Sequence, residues 1–244
     1  MCEHCVERGR GWLGWNELPP QNPIVPVGNW VDLSHALDNR APCASIFPVP
    51  ETSLLRRMPE HPFNVTILKT VVHAGTHVDS PRHYYLDGPA FEDIPLDRLC
   101  GPGVVWRIDA EAEEVLGVDR LEAARPHLKP GDILALDTGW AALAGTADYE
   151  RHPSLSPKAA EWLRDRGIKL LACDFATPDL VYHRREAGFD WPVHRTLLSC
   201  GILICEHLRG HSAFAGRRVE FVFAAIAIAG SDGAPARVMC REIR

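Results

Sequence analysis

The rhythm of apolar and polar positions changes along the chain, and each change marks an element. Residues 63–72 are rich in β-branched side chains and alternate in part, which predicts a strand ending at His73. Residues 30–35 predict a short first strand, and residues 103–109 and 131–137 two longer ones, the second buried. Asp119-Arg-Leu-Glu122 is a carboxylate variant of the capping box and predicts a helix that stops at Pro126. Ser156 and Pro157 read as the cap and first residue of a helix that passes Trp162 and Leu163 and stops at Gly167. A strand over 168–173 follows, so strand, helix and strand imply a crossover unit. Residues 192–201 predict a short helix ended by Gly201, and residues 202–206 a strand finishing in Glu206. Residues 219–229 are apolar at nearly every position, as expected of a central strand covered on both faces. Residues 36–62 show no regular pattern. The fold class expected is α/β, a single domain with a mixed sheet and flanking helices.

Composition narrows the function classes. With 244 residues the chain is long enough for one large domain. Twenty-six basic against 32 acidic residues give a net charge of −6, which argues against nucleic-acid binding. The longest apolar run, 221–229, falls far short of the roughly 18 residues of a membrane span. The first ten residues lack the apolar core of a signal peptide, so a cytoplasmic location is expected. The eight cysteines are scattered, and Cys173, Cys200 and Cys205 sit in apolar runs as reduced core residues do. Cys2-Glu-His-Cys5 with His4 offers three local zinc ligands at most, no second pair exists, and a mobile tail is the reading preferred. Trp12, Trp15 and four prolines before Asn29 predict an irregular arm over residues 1–29 that packs on the body or on another subunit. The domain proper then spans 30–244.

The chemistry is concentrated in Val-Val-His-Ala-Gly-Thr-His-Val-Asp-Ser-Pro-Arg-His, residues 71–83. His73, His77, His83 and Asp79 offer the nitrogen and oxygen donors that zinc, manganese and iron take. A fully extended backbone would separate His73 from His77 by roughly 13 Å, too far for one ion. A tight coil is therefore expected, with Gly75 bending the backbone and Thr76 and Ser80 bonding locally to hold it. Asp174, at a predicted strand end, reads as a turn carboxylate before it reads as a site residue.

That run matches, position for position, His-x-Gly-Thr-His-x-Asp-x-Pro-x-His. It resembles the signature of the metal-dependent cyclase-like hydrolases, a family that includes bacterial kynurenine formamidase and isatin hydrolase. The resemblance extends over about residues 30–243. It takes in Trp30-Val-Asp-Leu-Ser, the twelve-residue spacing of His194 and Glu206, and Ser231-Asp-Gly-Ala-Pro. It implies the swivelling β/β/α architecture and the hydrolysis of an amide, lactam or lactone in a small cyclic or aromatic substrate. It further implies that His73, His77 and Asp79 bind a first metal, that His194 binds a second, and that Asp79 and Glu206 bridge them. His83 matches the family's proton donor and acceptor, a role its ordinary pKa of about 6.5 suits. Zinc and manganese, as one ion or two, both suit such a donor set, and a homodimer or homotetramer is implied. Kynurenine formamidases carry Trp-Pro-Gly-Asp where this chain has Phe47-Pro-Val-Pro, which argues against kynurenine specificity. Phe47 and Tyr84 are the expected substrate contacts. No Gly-x-Ser-x-Gly motif provides a covalent route. Three alternatives stay open: a kynurenine formamidase proper, a metal-dependent isomerase or dioxygenase, and a non-catalytic protein that uses the metal for structure.

Overall fold

The computed structural model describes residues 11–21 and 23–244. Cys2, His4 and Cys5, with their weighed zinc site, lie outside the described residues. The strands are β1 (Val31–Asp32), β2 (Glu51–Arg56), β3 (Val65–Lys69), β4 (His77–Asp79), β5 (Cys100–Arg107), β6 (Val115–Leu116), β7 (Ile133–Asp137), β8 (Ser154–Leu155), β9 (Leu170–Cys173), β10 (Leu203–Glu206), β11 (Arg218–Ala225) and β12 (Gly233–Glu242). The α-helices are α1 (Val118–Ala123), α2 (Pro157–Asp165) and α3 (Pro192–Ser199).

The main sheet runs β1-β12-β11-β5-β7-β9-β10-β4, and a further pairing of β4 with β12 closes seven of its strands into a barrel-like ring. Strands β5, β7, β9 and β10 are parallel; β4, β11 and β12 are antiparallel to their neighbours. The period of two in the strands divides the core. Ile133 and Ala135 of β7, Leu170 and Ala172 of β9 and Leu203 and Cys205 of β10 join Phe221, Phe223, Val238 and Cys240 in one buried cluster, the ring's interior. The intervening Leu134, Leu136, Leu171 and Ile204 face outward. They are covered by Leu121 of α1, Ala159, Ala160 and Leu163 of α2, and Val193, Leu197 and Leu198 of α3. This is the α/β single domain with a mixed sheet and flanking helices that the sequence predicts. Among the described residues no helix is long and apolar enough to cross a membrane.

Several local expectations are revised. The strand predicted over 63–72 ends at Lys69, and residues 70–76 form the coil before β4. The patternless stretch 36–62 contains β2, which pairs with β3 in a two-stranded hairpin exposed along both strands. Asp119 lies inside α1 rather than capping it; Gly117 is the cap, with no side-chain hydrogen bond. Only Val219, Phe221 and Phe223 of β11 are buried, in alternation, and the strand ends at Ala225, leaving Ile226 exposed, so it is not covered on both faces. The cap on α2 is as predicted: Ser156 Oγ accepts from Ala159 N at 3.1 Å, and Pro157 is the first helical residue. The described part of the arm, from Gly11 onward, packs on the body. Leu13 N donates to Ser199 O at 2.7 Å, the Arg98 guanidinium lies 5.0 Å over the Trp15 ring, and Pro26 bridges to Ile243.

Candidate metal centre

Strand β4 carries the site because alternation puts His77 and Asp79 on one face and Val78 in the ring's interior. Antiparallel pairing sets His77 directly opposite Glu206 on β10, and Asp79 opposite Gly233 on β12. A side chain at 233 would collide with the His73 ring, its Cβ falling 2.9 Å from Cε1, which is why the strand has glycine there. The coil before β4 turns at Gly75 (φ 63°), a left-handed conformation that favours glycine. Thr76 and Ser80 do not hold this coil locally, as expected from sequence; they tie it to distant segments. Thr76 Oγ1 donates to His207 O at 2.7 Å and accepts from His35 N at 2.9 Å, and Ser80 Oγ donates to Ser231 O.

Helix α3 brings His194 from the other side. Asp179 binds the helix start through Val193 N and His194 N, both at 3.0 Å, and takes the His194 Nδ1 hydrogen at 2.7 Å. His194 Nε2 is thereby turned toward the carboxylates, 3.5 Å from Asp79 Oδ2 and 3.3 Å from Glu206 Oε1. His77 mirrors it. Its Nδ1 donates to Gly75 O at 2.8 Å, and its Nε2 lies 3.4 Å from Asp79 Oδ1 and 3.5 Å from Glu206 Oε2. Each carboxylate thus shows one oxygen to His77 and the other to His194. All four side chains are buried. Tetrahedral ligands about 2.1 Å from an ion lie roughly 3.4 Å apart, the spacing seen on both sides. His77 Nε2 and Asp79 Oδ2 are buried with no hydrogen-bond partner, a costly arrangement without a ligand. The residues therefore fit a divalent cation.

His73 is placed differently. Its Nδ1 lies 2.8 Å from Asp79 Oδ1 and its Nε2 2.8 Å from Asp232 Oδ2, so carboxylates hold both nitrogens. Burial opposes a charge there, yet Asp79 and Asp232 outweigh it and raise the pKa to about 10. To ligate an ion, His73 must exchange the proton it shares with Asp79. Hydrogen bonds from His73 and His83 hold Asp232 well below the usual carboxylate range. His83 Nδ1 lies 3.1 Å from Asp232 Oδ2, its ring 4.1 Å from that of His73, and burial pulls its pKa below the ordinary histidine value. Burial likewise opposes charge on His194, but Tyr84 and the carboxylates around it raise its pKa.

The five predicted ligands and His83 are thus brought together. Phe47 and Tyr84 line a cavity of about 110 Å³ together with His73, His83, His194 and Glu206, shared with Ile46, Tyr182 and Trp191. Phe47 stacks on His73 at 6.1 Å, and Tyr84 lies 5.0 Å from the His194 ring. Larger clefts lie elsewhere, one of about 350 Å³ beside Trp106 and one of about 530 Å³ beside His35, but neither holds a cluster of ligand atoms. Asp174 is separate: it accepts from Thr138 N and Oγ1 and from Ala141 N, beside Asp137 and His211. Sequence reasoning missed Asp232, Asp179, Trp191, Tyr149 and His207. Asp232 alone left a signal, the Ser-Asp-Gly turn between two strands.

The Cyclase family profile matches residues 31–180. Among curated relatives, kynurenine formamidase of Salinibacter ruber is 29% identical over 77% of this chain and 84% of its own length. That of Bacillus cereus is 28% identical over 90% of this chain and 100% of its own. Among solved structures, an isatin hydrolase bound to the product analogue thioisatinate superposes with a TM-score of 0.79 at 20% identity, covering 89% of this chain and 93% of that one. A protein described as a potential metal-dependent hydrolase with cyclase activity gives 0.72 at 25% identity, covering 88% and 98%.

Proposed function

Because the chain belongs to the Cyclase family, we propose that it is a metal-dependent hydrolase of non-peptide C–N or C–O bonds, acting on an amide, lactam or lactone of a small aromatic or cyclic molecule. The observation that carries this reading is the double facing of Asp79 and Glu206, one oxygen of each toward His77 and one toward His194. His77, Asp79, His194 and Glu206, with His73 beside Asp79, would hold one or two divalent cations there. Zinc and manganese both take such oxygen and nitrogen donors. A divalent cation bound there supplies Lewis acidity, polarising a carbonyl and making water more acidic.

The chain's own groups supply the rest. Asp232 accepts the Nδ1 hydrogen of His83, which leaves the Nε2 lone pair free toward the cavity. His83 then takes a proton from the attacking water and returns it to the leaving nitrogen or oxygen. Asp179 and the Gly75 carbonyl fix the tautomers of His194 and His77. Phe47, Tyr84, Tyr182 and Trp191 form an aromatic wall against which a planar substrate stacks and from which water is displaced.

A second reading, kynurenine formamidase proper, is favoured by the names of the curated relatives. The Phe47 segment in place of Trp-Pro-Gly-Asp argues against it. Catalytic efficiency on N-formylkynurenine, N-formyl anilines, isatin and small lactones separates the two. The first reading expects another substrate to match or exceed N-formylkynurenine; efficiency near about 10⁶ M⁻¹s⁻¹ on that compound alone establishes the second. The protein is further read as cytoplasmic and as a homo-oligomer. The β2–β3 hairpin supports the oligomer: Leu54, Leu55, Met58 and Phe63 are more than half exposed, and an isolated two-stranded hairpin is marginal in water. Light scattering after gel filtration gives at least a dimer on this reading; a monomer at micromolar concentration contradicts it.

A further inference from the structure

His207 is used by neither the motif nor the mechanism above, yet it occupies the back of the same centre. It follows Glu206 directly, at the point where the chain leaves β10, with φ 58°, a left-handed conformation uncommon outside glycine. That turn swings the ring in beside the glutamate. The ring lies 5.6 Å from that of His77, and one donor atom each of His77, Glu206 and His207 lie within 4.8 Å of one another. His207 is fully buried, and its Nε2 has no hydrogen-bond partner. Its Nδ1 is engaged by the hydroxyl of Tyr149 at 2.7 Å, and Tyr149, itself buried, lies face to face with the imidazole at 5.8 Å. A tyrosine that fixes one nitrogen of a buried imidazole, leaving the other unsatisfied beside a carboxylate and a second imidazole, matches the way ligating histidines are oriented.

We infer that His207 Nε2 is a further ligand of the ion on the His77 side of the centre, and that Tyr149 is its positioning residue. The inference rests on the proposed metal-dependent function and deepens it. With bonds of about 2.1 Å, one ion spans ligand atoms up to roughly 4.2 Å apart, so a small movement of the ring completes the contact. The His77 side then gains a neutral nitrogen donor, which relieves His73 of being the only other imidazole there. In the tautomer required, the Nδ1 hydrogen goes to Tyr149 Oη and Nε2 keeps its lone pair.

The test uses the full chain stripped by chelator and titrated with Co²⁺, read by affinity and by the visible absorption of the bound ion. His207→Asn is the variant of choice, because asparagine tolerates the left-handed backbone at this position. The unaltered protein is expected to bind Co²⁺, and His207→Asn to lose at least about tenfold in affinity for one equivalent, with a changed visible spectrum. Tyr149→Phe keeps the ring and removes only the hydroxyl; it is expected to weaken the same equivalent, and it carries the test alone if His207→Asn does not fold. Unchanged affinity and spectrum in the folded His207→Asn protein, or in Tyr149→Phe where that variant stands alone, overturn the inference and leave the metal-dependent function intact. An unaltered protein that binds no Co²⁺ overturns both.

Discussion

Each histidine of the proposed centre shows how one residue is made to serve. His77 and His194 spend one nitrogen on a fixed acceptor, Gly75 O or Asp179 Oδ2, and thereby present the other to Asp79 and Glu206. His83 is held in the same way by Asp232 but sits at the cavity, its side chain 23% exposed. These positions predict different losses. His83→Ala should lose turnover by about 10²–10⁴-fold and keep its metal, whereas His73→Ala should lose both. Normal turnover in His83→Ala, or loss of its metal, removes the acid–base role. At this scale the sequence was legible where chemistry is local: His73, His77, Asp79 and His83 lie within eleven residues. Asp179, Tyr149 and His207 were not legible, because each reaches the centre through pairings set by the whole sheet.

At the scale of elements, the centre depends on how α3 is held against β4 and β10. Asp179 binds that helix at its start and orients its histidine, so Asp179→Asn should lower metal affinity by about 10–100-fold while leaving most of the fold intact. Isothermal titration of the stripped variant checks this; unchanged affinity contradicts it. Helix α2 offers a control remote from the site. Ser156→Ala removes the cap on Ala159 N and should cost about 1 kcal/mol in urea unfolding with unchanged turnover. The start of α2 was legible because serine followed by proline is a local signal. Strand β2 was not, since its exposed residues leave no alternation; strand β3 was, but it stops short of His73 because the coil at 70–76 must turn the chain into β4.

For the molecule as a whole, burial of neutral imidazoles sets a limit in acid. His152 stacks on Phe175 at 5.5 Å, has no exposure, and is pulled by burial to a pKa of about 4. The unfolded chain takes up that proton near pH 6.5 and the folded chain only near 4. The stability this residue preserves is therefore complete above about 6.5 and is lost as pH falls toward 4, about 2 kcal/mol of it by pH 5. His152→Phe, which cannot be protonated, should unfold in urea with a decline between pH 7 and pH 5 that is shallower by about that amount; equal slopes in the two proteins contradict the account. The α/β class was visible in sequence because predicted strands over 131–137 and 168–173 flank a capped helix and imply a crossover. The closure of seven strands into a ring was not, because the β4–β12 pairing joins segments more than 150 residues apart and leaves no local trace.

The central claim is that His77, Asp79, His194 and Glu206 hold the divalent ion on which hydrolysis depends. Metal content per chain, measured by mass spectrometry on the purified protein and on His77→Ala and His194→Ala, tests it most directly. The account predicts at least one equivalent of zinc or manganese in the unaltered protein and a clear loss in both variants. It also predicts that chelation abolishes hydrolysis and that the ion restores it. Equal metal content in the three proteins, or full activity after the metal is stripped, would contradict it.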